Sequence, residues 1–208
     1  EIRNHNGIIS NPNCSTIIMA IVLKPILDRA GLKRIVVSTY QAVSGAGGRG
    51  MDELRRQTED YVAGRELEAS ILPVANDPKH YPIAFNVIPQ IAPFAEHDYT
   101  KEEWKMVYET QKLFKDPNLK VSPTTIRIPV MRSHAESINV ETVSPLSPEE
   151  CRELLRQAPG VVLLDNPKEQ EYPMPLFTSG KDPVYVGRIR RDLTVENGLN
   201  LWVVGDHI

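Results

Sequence analysis

A chain of 208 residues with 41% hydrophobic content is long enough to bury a full core, as one large domain or two small ones. Its 24 basic and 27 acidic residues leave a net charge of −3 and no basic face for a nucleic-acid backbone, and two cysteines are too few for a disulfide framework, which points to a reducing, cytoplasmic setting. No apolar run is long enough to span a bilayer, since the best candidate, 17–27, is broken by Lys24 and Pro25.

Position 1 is Glu rather than Met, and 1–6 lack the charged-then-apolar layout of a signal peptide, so the chain is expected to begin within a longer protein. Residues 7–9 read as a short strand. An Asn11-Pro12-Asn13 turn leads into an apolar helix over 15–30, Gly31 is its expected C-cap, and 33–41, with Ile35, Val36 and Val37, reads as a strand. This order predicts a parallel strand–helix–strand crossover of right-handed sense, with Cys14 and Gln41 following equivalent strand ends on one sheet edge, where ligands bind in α/β folds.

Residues 44–50, Ser-Gly-Ala-Gly-Gly-Arg-Gly, read as a flexible loop, and 51–67 as a helix carrying Leu54, Tyr61 and Val62 on one side. Proline-rich connections surround an expected buried strand at 83–88, and a helix follows over 101–114. Alternation over 124–130 and 137–143 predicts two strands, joined near His134 and paired antiparallel. A short helix over 145–157, a brief strand at 161–164, a polar segment at 165–183 that reads as a surface loop or interface arm, and strands at 184–189 and 199–204 complete the chain. There is no internal repeat. The resulting class is α+β, a mixed sheet with one parallel crossover and later antiparallel strands, with helices packed on it.

Cys14 stands at the mouth of the first long helix, where unpaired N–H groups and the positive dipole end favour a thiolate, the form that attacks carbonyls. Free cysteines are more often small buried hydrophobes, but Asn13, Ser15 and Thr16 around Cys14 are polar. Cys151 follows Ser147-Pro148-Glu149-Glu150, a capping box with proline at the first helical position, and reads as core. Thr100 and Glu103 form a second capping box, which leaves Glu102 and Lys105 three apart on one face; spacing alone reads them as a surface ion pair. Arg127 and His134 are seven apart, so on one straight strand they would face opposite ways and converge only if the chain bends. His5, His80, His97 and His207 have no comparable setting, and no His or Cys pair falls at metal-ligand spacing.

Asn11-Pro12-Asn13-Cys14-Ser15-Thr16, Gln41 in Thr39-Tyr40-Gln41-Ala42-Val43-Ser44-Gly45, Glu102-Glu103-Trp104-Lys105, Arg127-Ile128-Pro129-Val130, His134 and Val186-Gly187-Arg188-Ile189-Arg190 together resemble the aspartate-semialdehyde dehydrogenases, along the whole chain. The resemblance implies the C-terminal domain fold of glyceraldehyde-3-phosphate dehydrogenase-like enzymes, and makes 1–208 the catalytic and dimerisation domain of a longer two-domain enzyme. It implies a homodimer or tetramer, with NADP(H) held mainly by a domain whose Gly-rich turn is not in this chain. It further implies NADPH-dependent reduction of L-aspartyl 4-phosphate to L-aspartate 4-semialdehyde through a cysteine thioester, at the branch towards lysine, threonine and methionine.

Carried over residue by residue, the same resemblance makes Cys14 the nucleophile and His134 the base, a role suited to an imidazole near neutral pKa. Gln41 would orient the substrate, Glu102 hold its ammonium and Arg127 its carboxylate, Asn13 and Lys105 bind phosphate, and Gly45 and Gly47 let the backbone approach the nicotinamide. For the glycines the ordinary alternative is a Gly-rich turn capping a helix, the reading given to Gly48 and Gly50. N-acetylglutamyl-phosphate reductase and glyceraldehyde-3-phosphate dehydrogenase also pair a cysteine with a histidine but differ around the cysteine; a non-catalytic oligomerisation module and a Cys-His hydrolase or acyltransferase are the rivals from other classes.

Overall fold

The computed structural model describes residues 2–207. Helix α1 (Cys14–Ala30) is capped as its sequence requires: Asn13 Oδ1 accepts from the N–H groups of Ser15 and Thr16, and Gly31, at φ 69°, closes the far end by donating to the Leu27 carbonyl. There follow β1 (Leu32–Gln41), α2 (Gly47–Val62), α3 (Lys101–Phe114), β2 (Lys120–Arg127), β3 (His134–Thr142), α4 (Pro148–Arg156), β4 (Val161–Leu163), α5 (Pro175–Thr178), β5 (Val184–Arg191) and β6 (Gly198–Gly205). The strands make one mixed sheet in the order β2-β1-β3-β6-β5-β4, an α+β architecture as expected.

The core is the seam between α1 and one face of this sheet. Ile18, Val22, Leu23 and Ile26 pack against Ile35, Val37, Ile138, Val140, Leu201 and Val203, the inward-facing alternate positions of three adjacent strands, and α4 adds Leu155 and Cys151. Cys151 is fully buried, as its sequence setting predicted, and burial pushes its thiol up to about 12. Among the described residues no helix is long and apolar enough to cross a membrane.

Several local expectations are corrected. Residues 7–9 form no strand: Gly7 has φ 106°, Ile8 is fully exposed, and so short a segment has no neighbour to bury it. The expected crossover through α1 is therefore absent, and the parallel pairs are β1 with β2, joined through α2 and α3, and β4 with β5. Nor do β2 and β3 pair with each other. Strand β1 lies between them, parallel to one and antiparallel to the other, because the short 128–133 loop carries the chain over its end.

Residues 44–50 are ordered rather than loose: a 3₁₀ turn over Val43–Ala46 runs into α2, with Gly47 at φ 76° making the junction. That helix ends at Val62, just before Gly64, and only Leu54 of its expected apolar side is buried; Tyr61 packs at a tilt against Phe85 at its surface. At 83–88 a single bridge, Ile88 to Arg127, replaces the strand. The backbone N–H groups of Ile83 and Ala84 are taken up by Gln57 Oε1 at 2.8 and 3.0 Å, so this proline-flanked segment meets its hydrogen-bond demand without a sheet neighbour.

Candidate active site

Parallel pairing of β1 with β2 brings their carboxyl ends to one edge, where Gln41 and Arg127 are register partners. Strand β3 runs the other way, so His134, its first residue, arrives at that edge too, and β6 ends there with Gly205 opposite His134. Because Gln41 partners Arg127 and Thr39 partners Glu136, the side chains of Gln41, Arg127, His134 and Glu136 share the sheet face covered by α1. The bend required between Arg127 and His134 is the 128–133 loop, which closes on a buried Ser133 at φ 73° and is tied down by Val43 and Ser44, whose N–H groups donate to Val130 and Met131.

A cavity of about 410 Å³ opens at this edge, lined by Asn13, Cys14, Gln41, Gly45, Glu102, Lys105 and Arg127, with Ile71, Leu72 and Ile91 as an apolar wall. All but two of the site residues expected from sequence thus meet in one place. His134 lies behind the lining, fully buried, within reach of it: a Cβ on Gly45 would stand 2.6 Å from Arg127 Nη1 and 3.3 Å from His134 Nε2. Gly47 is the exception. It lies outside the lining, exposed, with nothing within 4 Å of a Cβ built on it, and its positive φ serves the start of α2.

Asn13 is more structural than expected. Its Oδ1 caps α1, its Nδ2 donates to Glu102 Oε1 at 2.7 Å, and its backbone N–H donates to Glu109. Gln41 Nε2 reaches the same Glu102 oxygen at 3.5 Å. Glu102 and Lys105 do form the ion pair suggested by spacing, at 3.8 Å, but the acid belongs to the buried wall while the lysine is 56% exposed. Glu103 completes its capping box with Thr100 and also accepts from the Thr125 N–H, which docks α3 on β2.

Arg127 is buried, with Nη1 donating to the Ala42 carbonyl at 2.7 Å and Nε without a protein partner. Burial lowers its pKa, and the nearby Glu102 and Cys14 oppose that shift. The Ala42 N–H donates to His134 Nδ1 at 3.0 Å; this bond assigns the tautomer and puts the ring proton on Nε2, which has no protein partner. Burial first, then His207 and Arg127, hold the imidazole well below its ordinary pKa. A histidine so placed offers the Nε2 N–H as a hydrogen-bond donor.

Cys14 also departs from expectation. Its thiol is pushed up to about 11, by burial first and by Glu102 second; the Ser15 N–H at the helix start and Arg127 lower it, but by less. The helix terminus acts as predicted and is outweighed. Alkylation of Cys14 by iodoacetamide is accordingly expected to be slow at neutral pH and to climb with pH towards about 11, whereas Glu102→Gln shifts that rise to lower pH; an unshifted profile in the variant would remove Glu102 as a cause.

Two neighbours went unrecognised in the sequence. His207 stacks on His134, with centroids 3.8 Å apart, and its Nε2 is 3.3 Å from Ser44 Oγ. Nothing local marks it, since its place depends on the β3–β6 register. Glu136 is fully buried with neither carboxylate oxygen partnered, and burial alone holds its pKa well above the ordinary value. Here a signal existed, an acid within the buried alternation of His134, Glu136, Ile138 and Val140. Its folded-state pKa is raised, so as pH climbs above the ordinary value of 4.5 the unfolded chain releases this proton while the folded chain keeps it, and stability falls. Glu136→Gln is therefore expected to gain more in Tm over the parent at about pH 8 than at about pH 5.

Among the described residues no group of three His, Cys, Asp or Glu side chains is arranged to hold a metal ion. Compared with known proteins, residues 23–208 match the family described as semialdehyde dehydrogenase, dimerisation domain. Aspartate-semialdehyde dehydrogenase of Aquifex aeolicus is 55% identical over 97% of this chain and 58% of its own length, and that of Bacillus subtilis 49% identical over 100% and 60%. The crystal structure of Vibrio cholerae aspartate semialdehyde dehydrogenase II complexed with ASA superposes with a TM-score of 0.91 at 47% identity, over 99% of this chain and 58% of that one. The chain thus spans less than two thirds of the length of these relatives.

Proposed function

The chain belongs to the semialdehyde dehydrogenase family through its dimerisation domain, and from that premise we propose that the whole protein reduces L-aspartyl 4-phosphate to L-aspartate 4-semialdehyde with NADPH, releasing phosphate, on the route to lysine, threonine and methionine. The observation that carries this reading is a thiol flanked by opposite charges in one cavity: Cys14 lies within the electrostatic reach of both Glu102 and Arg127. A substrate with an ammonium, a carboxylate and an activated acyl group between them matches that arrangement. Arg127 holds the carboxylate through Nε, the donor left without a partner, and Glu102 holds the ammonium. Lys105, half in solvent at the rim, attracts the phosphate, and Gln41 orients the acyl group.

Sγ of Cys14 forms a bond to the acyl carbon as the bond from that carbon to the phosphate oxygen breaks. The balance closes without a separate base, since an acyl phosphate dianion and a thiol give a thioester and hydrogen phosphate. Substrate ammonium beside Glu102 cancels the second-largest cause of the high thiol pKa, so binding itself favours the attack. NADPH, when bound, supplies the hydride that reduces the thioester. Exposed Gly45 fits such a neighbour, because any Cβ there would fill the space before Arg127 and His134 Nε2. His134 then donates a hydrogen bond from Nε2 to the carbonyl oxygen as that oxygen gains charge, and collapse of the oxyanion to the aldehyde breaks the bond to Sγ and returns Cys14 as a thiolate.

Copies of the domain pair through the sheet face opposite α1, where Ser38, Tyr40, Ser137, Asn139 and Trp202 are half-buried. The substrate assignment is tested in the reverse direction on the full-length protein, with aspartate 4-semialdehyde, phosphate and NADP+, against N-acetylglutamate 5-semialdehyde in parallel. NADPH is expected only with the first. Formation with the second alone would transfer the protein to the N-acetylglutamyl-phosphate reductases, whose substrate has no free ammonium for Glu102.

A further inference from the structure

The His134 ring has two faces to the problem of staying in place. Its hydrogen bonds are the Ala42 N–H to Nδ1 and a contact with the Ser133 backbone, and the last torsion of a histidine is broad and roughly two-fold, so these bonds alone do not fix which nitrogen meets the cavity. The other face of the ring is covered. His207 lies on it at 3.8 Å with an interplanar angle of 24°.

The chain is built to keep His207 there. Gly205, register partner of His134, has no room for a side chain, since a Cβ would come 2.9 Å from Ile18 Cγ1, so β6 ends pressed against α1 and the next residues pass over the site. Asp206 is fixed through Oδ2, which accepts from Arg132 Nε at 2.6 Å and from the Gly180 N–H at 2.5 Å. On its far side, His207 Nε2 meets Ser44 Oγ, and Ser44 belongs to the same turn as Ala42, the donor to His134. The two imidazoles and the 42–45 turn form a closed frame.

We propose that His207 is a positioning residue for His134, its ring clamping the imidazole so that Nδ1 stays on the Ala42 N–H and the Nε2 proton faces the cavity. The proposal rests on the reading of His134 as hydrogen-bond donor to the reacting carbonyl oxygen. The charged groups that act on the pair are Arg127 on both rings and Asp206 and Arg132 on His207, with Glu136 two residues along β3 on the face of His134. Two rings stacked this closely disfavour a charge on either, which keeps His134 neutral and leaves the Nδ1 lone pair for Ala42.

The test uses the full-length protein with ¹⁵N-labelled histidine, His134→Asn identifying the His134 signals, and compares His207→Ala with His207→Phe. Wild type is expected to show one tautomer with the proton on Nε2. His207→Ala should give an average of two tautomers and a kcat lower by about tenfold, with KM for aspartate 4-semialdehyde changed less than about twofold. His207→Phe, which keeps a ring on the stack, should restore both. If His207→Ala does not fold, His207→Asn replaces it, keeping a polar atom for Ser44 but no ring. A single Nε2–H tautomer and unchanged kcat in the ringless variant would overturn the proposal, as would failure of His207→Phe to restore them. The tautomer is read without substrate, so a protein inactive on aspartate 4-semialdehyde would sink the substrate assignment while leaving this result readable.

Discussion

Cys14→Ala is expected to lower turnover of the full-length enzyme by ~10⁴-fold or more, the equivalent of at least about 5 kcal/mol of barrier, with the fold intact. The two halves of this expectation have separate grounds. Chemically, no other nucleophile lines the cavity: Cys151 is buried under α1, and Lys105 points its charge at Glu102. Structurally, Cys14 is only partly buried at the first position of α1, and the cap is made by Asn13, so alanine removes neither a cap nor a core contact. Steady-state rates together with thermal melting check both halves. Turnover above about 1% of wild type in a folded Cys14→Ala protein would mean that hydride reaches the acyl group without a thioester, and the covalent route would have to be abandoned.

Cys14→Ser separates the role of the sulfur from that of its pKa. A serine hydroxyl keeps the geometry and the hydrogen-bonding capacity but is a weaker nucleophile and a poorer leaving group, so Cys14→Ser should be nearly as inactive as Cys14→Ala. The high resting pKa of the thiol is no objection to its role. Its second cause, Glu102, is the group that the substrate ammonium would neutralise, so the free and substrate-bound sites differ in the charge around the sulfur.

What could be read from residues alone divides along a physical line. Signals that act within a few residues were legible: the Gly31 cap of α1, both capping boxes, and Cys151 as core all follow from local hydrogen bonding and periodicity. Properties set by register were not. The alternation of 124–130 and 137–143 identified two strands but could not show β1 between them, and that insertion is what puts Arg127 and His134 on the same face. His207 was invisible for the same reason. The thiol pKa failed differently: the helix terminus was read correctly, but its effect is small beside desolvation and a buried carboxylate, and both depend on tertiary placement. The site residues themselves came from the resemblance, since spacing alone left Glu102 and Lys105 as a surface pair and Arg127 and His134 on opposite faces of one straight strand.

Arg127→Lys provides the sharpest test of how substrate is held, with an expected rise in KM for aspartate 4-semialdehyde that corresponds to about 1–3 kcal/mol, or roughly 5- to 150-fold, and a smaller change in kcat. One end of the guanidinium is already committed, with Nη1 donating to the Ala42 carbonyl, while Nε has no protein partner. An arginine can therefore hold the chain and a carboxylate at once, through two edges of one rigid plane. A lysine has a single compact head and must choose. If it bonds Ala42, the carboxylate loses its two-pronged contact; if it turns to the carboxylate, the Ala42 carbonyl is left buried without its donor, at the turn that also orients His134. Either choice weakens binding, and the positive charge kept beside Cys14 limits the effect on the sulfur itself. An unchanged KM in Arg127→Lys would show that the carboxylate is held elsewhere, and the buried guanidinium would then be left with the Ala42 carbonyl as its purpose.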